Sequence, residues 1–255
     1  IHGGGFITGS AAASVADMQV LAAALDCTVV TVDYRLAPET PFPGALEDNY
    51  AALKWLHDQA EALGVDRTRI AVMGESAGGG HAVMLAIAAR DRGEVPLRLQ
   101  VLTYPMLDDR TGSSRPTPPH IGTILWRPEL NVAGWTALLG SPAGGETAPA
   151  GSVPAREADL AGLPPTWISV GTLDLFVDED IVFARRLVEA GVPVELLVLP
   201  GAFHGSDQAA PQASVSRRHR NALYNALARA FERPERAEAP PPAPLHLAPP
   251  AGAAA

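Results

Sequence analysis

Cysteine and lysine are almost missing from this 255-residue chain, which has one of each, Cys27 and Lys54. A single cysteine excludes an intrachain disulfide framework. It fits a reducing compartment, so the cytoplasm is the expected location. Cys27 opens an apolar run, Cys27-Thr28-Val29-Val30, and reads as a small core hydrophobe rather than a reactive thiol. No apolar run approaches the length of a membrane-spanning helix, so stable membrane insertion is not expected. Excess positive charge is also absent. The formal net charge is −9, which argues against non-specific binding to nucleic acid or anionic membranes. No Cys/His cluster has metal-ligand spacing, and no Gly-Lys-Ser/Thr follows a glycine-rich turn, so neither a metal, a cofactor nor a P-loop is expected. There are no internal repeats, no initiator methionine and no signal peptide within the sequence.

What is present alternates between strand and helix patterns. Helical faces are expected over Ser14–Leu25 (through Val15, Met18, Leu21, Ala22 and Leu25) and Ala45–Leu63 (through Leu46, Tyr50, Leu53 and Leu56). Further helices are expected from the 74–80 turn to about Asp91, over about Asp178–Ala190, and over Ser214–Phe231. Buried strands are expected at Thr28–Asp33, Arg69–Met73, Leu97–Thr103, Thr166–Val170 and Val194–Leu199. Short apolar runs between helices imply an α/β fold with a parallel sheet covered on both faces. Residues 108–165 break the rhythm with many prolines. They predict an excursion over the carboxyl edge of the sheet that lines the site, with one helix at Pro128–Leu139 facing inward through Leu130, Trp135 and Leu138. Residues 233–255 are rich in Pro, Ala and Glu and predict a disordered tail after a single domain over residues 1–232.

Four motifs carry chemistry. Gly74-Glu75-Ser76-Ala77-Gly78 joins a strand to a helix, a context in which the glycines permit a sharp turn and the Ser76 hydroxyl projects above the sheet. His2-Gly3-Gly4-Gly5-Phe6 offers backbone amides that can approach a developing oxyanion closely. His204 follows the last strand in Pro200-Gly201-Ala202-Phe203-His204-Gly205, at the edge where α/β sites collect their residues. Histidine as a residue type suits a general base near neutral pH. His57, His81 and His219 fall within helices, His120 and His246 in proline-rich stretches, and His2 in the glycine loop, where it shapes the turn. Asp174 ends the preceding strand and is placed to orient His204. Asp178, Glu179 and Asp180 compete with it, but they read as the acidic first turn of a helix. Together the four motifs imply acyl transfer through a Ser-His-Asp triad.

Those residues resemble the hormone-sensitive-lipase-like esterases of the α/β-hydrolase fold. The likeness runs from residue 1 to about 232. It includes His2–Phe6, Tyr34-Arg35-Leu36-Ala37-Pro38-Glu39, Phe42-Pro43, Glu75-Ser76-Ala77-Gly78-Gly79, Tyr104-Pro105, Asp174 through Asp178-Glu179, and His204-Gly205. The resemblance implies Ser76 as nucleophile, His204 as base, Asp174 as its orienter, and the amides of Gly4, Gly5 and Ala77 as oxyanion donors. Tyr34–Pro43 and Asp48 would be structural. The implied activity is hydrolysis of short-to-medium acyl esters of small molecules through an acyl-enzyme, without a cofactor. A deacetylase or amidase uses the same triad, and some relatives on this fold only bind ligands. Three departures bear on pocket shape: Glu75 in the elbow, Leu175-Phe176 after the acid, and Ser206 after His-Gly. Relatives also carry a cap segment and strands ahead of the glycine loop. The expectation is therefore an α/β-hydrolase domain lacking those N-terminal strands, with a gap between the Thr28 and Arg69 runs. Neither the oligomeric state nor the natural substrate is readable.

Overall fold

The computed structural model describes residues 1–243. Four strands, β1 (Ala71–Glu75), β2 (Leu99–Thr103), β3 (Thr166–Gly171) and β4 (Val194–Leu199), form one sheet in the order β1-β2-β3-β4, and every pair is parallel. The helices are α1 (Ala11–Leu25), α2 (Gly44–Asp58), α3 (Ala77–Arg92), α4 (Pro128–Leu139), α5 (Val177–Glu189), α6 (Ser206–Ala209) and α7 (Ser214–Ala230).

Strand alternation sorts the apolar side chains into two layers. Val72, Leu102 and Ile168 pack with α2, α3 and α5, through residues such as Leu53, Met84, Phe183 and Leu187. Leu99, Val101 and Trp167 face the other way, toward Leu21 and Leu25 of α1 and Leu223 and Leu227 of α7. The expected two-sided α/β sandwich is thus the observed one. All four strands run the same way, so the turns leaving their carboxyl ends gather at one edge. Ser76, Asp174 and His204 all follow strand ends there.

Thr28–Asp33, expected as a buried strand, forms no ladder and is only partly buried. An open cleft, lined in part by Val29, Val30, Val32, Val72 and Met73, separates this run from β1. A strand exists only where a neighbour takes its backbone hydrogen bonds, and β-branched composition does not supply one. Ile1 and His2 run beside β1 at this edge; the Ile1 amine donates to the Met73 carbonyl at 2.7 Å. Two helical faces also differ from expectation. In α1 only Leu21 and Leu25 are buried, and Val15 is exposed. In α4 Trp135 and Leu138 are buried as expected but Leu130 is exposed, because Asn131 occupies the inward stripe of Asn131, Gly134/Trp135 and Leu138. Helix α2 stops at Asp58; the chain then turns, with Val65 N–H donating to Ala60 and Gly64 at φ 67°.

The 108–165 excursion is tied down by buried carboxylates. Asp109 accepts from Arg156 at 2.7 and 2.9 Å and from the Gly144 amide at 2.9 Å. Glu179, on α5, accepts from the amides of Leu107 and Asp108 at 2.7 and 3.1 Å and from the Thr111 hydroxyl. Burial pushes the Glu179 carboxyl up to about 8. The described part of the Pro/Ala-rich segment, 233–243, has no helix or strand and lies against α1 and α7. Arg233 pairs with Asp26, and the Ala239 amide donates to Asn221. The rest of that segment, with His246, lies outside the described residues.

Removing Glu179 strands two backbone amides and a hydroxyl, each costing about 1–3 kcal/mol if left unpaired and dry. Glu179→Ala is therefore expected to lower unfolding free energy by about 2–5 kcal/mol in urea titrations. Glu179→Gln, which keeps an acceptor, should lose less than half of that. Equal losses would show that the acceptor is not what matters.

Candidate active site

The site starts with a turn that an L-residue adopts only under strain. Ser76 sits between β1 and α3 at φ 55° and ψ −123°. Its amide donates to Thr103 of β2 at 2.9 Å, and its carbonyl accepts from Met106 at 2.9 Å and Gly80 at 3.2 Å. These bonds fix the backbone on both sides of the turn. Gly78 makes the next approach possible: a Cβ there would lie 2.2 Å from the Ile1 carbonyl oxygen and 2.5 Å from that of His2. Helix α3 thereby begins directly against the chain leading into the glycine loop.

His204 joins the other two residues. Its Nε2 lies 2.9 Å from Ser76 Oγ, and its Nδ1 lies 2.9 and 3.1 Å from the two carboxylate oxygens of Asp174. A carboxylate can only accept, so Nδ1 carries the hydrogen and donates. Nε2 is left to accept from the Ser76 hydroxyl. Asp174 is fully buried, and its Oδ1 also accepts from the Phe176 amide at 3.0 Å, which locks the carboxylate at the start of α5. The competing acids go elsewhere. Asp178 is exposed, Glu179 holds the 107–111 turn, and Asp180 is buried without a hydrogen-bond partner.

The glycine loop folds over Ser76. Gly4 has φ 121°, and its carbonyl accepts from the amides of Ile7 and Thr8 at 3.1 and 3.0 Å. A Cβ on Gly4 would sit 2.1 Å from the Thr8 carbonyl oxygen, so only glycine makes this turn. Among the described residues, none accepts from the amides of Gly4, Gly5 or Ala77. The loop rests on aromatic packing. Phe6 is buried edge-on against His81 and Trp135, at 4.9 and 4.8 Å. His2 stacks on Tyr34 at 4.2 Å, and the Tyr34 hydroxyl donates to the His2 carbonyl at 2.8 Å. Burial lowers both imidazoles of the loop region, His2 below its ordinary value and His81 to about 3. His57 and His219 lie in α2 and α7, as the sequence implies, and His120 is exposed in the excursion.

Sequence reasoning reached the walls only in part, through Phe176 as a departure after the acid and residues 108–165 as an excursion lining the site. Tyr104, Phe176 and Trp126 surround the His204 ring, with centroids 4.6, 5.1 and 6.2 Å away. Tyr104 was visible only as part of a Tyr-Pro pair, and Trp126 only as one residue of that excursion. Glu75 accepts from Gln208 at 2.9 Å; burial, then the nearby Asp207 charge, raises its carboxyl. No group of three or more His, Cys, Asp or Glu side chains is placed to hold a metal among the described residues.

Known proteins share this arrangement of elements. Esterase LipI of Mycobacterium tuberculosis is 38% identical over 208 residues, covering 80% of this chain and 63% of LipI. Carboxylesterase NlhH of the same species is 36% identical over 204 residues, covering 80% of this chain and 64% of that protein. The chain thus spans a little under two-thirds of the length of these curated relatives. Among solved structures, a bacterial heroin esterase superposes with a TM-score of 0.81 at 42% identity, over 90% of this chain and 73% of that one. The sequence pattern of the α/β hydrolase fold matches residues 1–207, a stretch that holds the glycine loop, the strained serine turn, the acid and the histidine described above. By its sequence and its architecture alike, the chain belongs to the α/β hydrolase fold family.

Proposed function

We propose that this chain carries the catalytic core of a serine carboxylesterase acting on short-to-medium acyl esters of small molecules. The observation that carries the reading is the unbroken hydrogen-bonded line from Asp174 through His204 to Ser76, under a loop with free amides. Relatives named as esterase and carboxylesterase support it.

In this reading Ser76 Oγ attacks the ester carbonyl while His204 Nε2 takes its proton. The carbonyl oxygen, now negative, receives N–H bonds from Gly4, Gly5 and Ala77. Each such donor is worth about 2.7–4 kcal/mol of transition-state stabilisation. Asp174 steadies the imidazolium through Nδ1 and is not itself protonated. Collapse breaks the bond to the alcohol, which leaves with the proton from His204. Water, deprotonated by the same imidazole, then cleaves the acyl-enzyme and restores Ser76. No step requires a metal or an organic cofactor. Among the described residues no helix is long and apolar enough to cross a membrane. With a single cysteine, the cytoplasm is the proposed compartment.

Ser76→Ala removes the nucleophile and is expected to lower kcat on a nitrophenyl ester about 10⁶-fold. The loss should come with no fall in Tm, since the backbone strain at Ser76 is retained. Residual turnover within tenfold of the parent protein would remove Ser76 from this role. Asp174→Asn leaves the shape intact but favours the wrong imidazole tautomer. A loss of about 10⁴-fold in kcat is expected, deeper at neutral than at alkaline pH. A loss below tenfold would shift the acid role to another carboxylate.

A further inference from the structure

Proton transfer from Ser76 needs the His204 ring to stay within reach of Oγ while its other nitrogen stays on Asp174. Contacts at the two nitrogens alone leave the ring free to tip about the line that joins them. The backbone does little to prevent this. Neither the amide nor the carbonyl of His204 makes a backbone hydrogen bond among the described residues. The loop is fastened downstream instead, through α6, which begins two residues after the base. Two side chains of α6 tie it to the nucleophile's side of the site. Asp207 Oδ1 accepts from the Tyr104 hydroxyl at 2.9 Å, and Gln208 donates to Glu75, the neighbour of Ser76, at 2.9 Å.

Tyr104 is the stronger of the two ties, because it also packs on the base. Its ring centroid lies 4.6 Å from that of the imidazole, tilted by 59°. Among the aromatic neighbours of His204, it is the one whose side chain bonds back to the segment that carries the base. Its backbone stands at φ 36°, in the left-handed region that bulky residues rarely enter, and its amide is pinned to the Ser169 carbonyl of β3 at 2.7 Å. Tyr104 also lies between the two residues that hold the nucleophile. The Thr103 carbonyl accepts from the Ser76 amide, and the Met106 amide donates to the Ser76 carbonyl, each at 2.9 Å. One short segment therefore sets both partners of the proton transfer. The other oxygen of Asp207 lies 4.0 Å from His219 Nε2, too far for a hydrogen bond that would commit the carboxylate elsewhere.

We propose that Tyr104, held through its hydroxyl by Asp207, is a positioning residue for His204 that keeps the imidazole aligned with Ser76. The inference rests on the serine-esterase reading and adds the pair that sets the base. Neither residue touches the ester. Loss of their bond lets the tyrosine ring shift and the His204 loop drift with α6, so that Nε2 meets Oγ less often in the geometry that transfers a proton. Binding of the ester does not depend on that alignment, and the loss falls on turnover.

The test is steady-state hydrolysis of p-nitrophenyl acetate, with Tm, for the parent protein, Tyr104→Phe, Asp207→Ala, Asp207→Asn and the variant carrying both Tyr104→Phe and Asp207→Ala. Tyr104→Phe keeps the ring and loses the hydroxyl. It is expected to lower kcat about tenfold with little change in KM, short of the about 10²-fold that a full 1 Å displacement costs. Asp207→Ala should give the same loss, and the double variant no more than either single, since all three remove one bond. Asp207→Asn keeps an acceptor and should recover most of the rate. Labelling of Ser76 by a fluorophosphonate, which uses the same base, should slow in parallel with kcat. If Tyr104→Phe does not fold, Asp207→Ala reads the same bond from its other side. Parent-like kcat in folded variants overturns the proposal, and so do losses that multiply in the double variant or lie wholly in KM. A fall in Tm with an unchanged labelling rate also overturns it, leaving the pair a merely structural support. A parent protein that cleaves no ester and takes no label would overturn the serine-esterase reading itself. Cleavage that persists in Ser76→Ala would do the same, and both results are distinct from a failed positioning effect.

Discussion

The backbone of Ser76 is held in a conformation that costs a non-glycine residue on the order of 1–3 kcal/mol, and the surrounding structure is organised around keeping it there. Its amide is bonded to β2, its carbonyl to the chain leaving β2 and to the first turn of α3. A parallel sheet buried on both faces supplies the rigidity for this. The strained residue stands at the one edge where all four strands end, so the acid and the base arrive at the same place by ordinary topology. Glycines at 74 and 78 are then required for reasons of approach: a Cβ at 74 would run into the Gly78 carbonyl of α3, and one at 78 into the carbonyls of Ile1 and His2.

The second organising element is polar and buried. Glu179 holds the start of the excursion from α5, and Asp109 within that start reaches across to Gly144 and Arg156. Both carry several donors, which is what makes their burial tolerable. Asp180 is the exception, buried one residue beyond Glu179 with neither oxygen partnered. Burial, then the charges of Glu179 and Asp174, raise its carboxyl well above the usual range.

The proposed triad was legible because each member sits in a local motif whose geometry is dictated by the strand before it. Ser76, Asp174 and His204 each follow a strand end, and a parallel sheet gathers such ends without further information. The layers were legible for the same reason, since alternation decides which side chain faces which helix. Two kinds of feature were not. Thr28–Asp33 has strand composition, yet a ladder depends on a neighbour that composition does not name. Leu130 and Asn131 differ by one position on α4, and hydrophobicity favours the wrong one. The inward place goes to the residue that can bond both Trp126 and the Thr111 carbonyl. Trp126 escaped notice because contacts across a long irregular segment leave no periodic trace.

The Arg156–Asp109 pair joins residues 47 positions apart. It fastens the excursion at its two ends, close to where it leaves and rejoins the sheet. Loop-closure entropy grows only by about 0.6 kcal/mol for each doubling of length. The exposed turns of a segment fastened this way can lengthen or shorten at little cost to the body of the fold. The ion pair acts as a seam between two inheritances. On one side lies machinery whose geometry admits almost no variation. On the other lies a stretch whose surface turns can change, while α4 and Trp126 stay packed against the glycine loop.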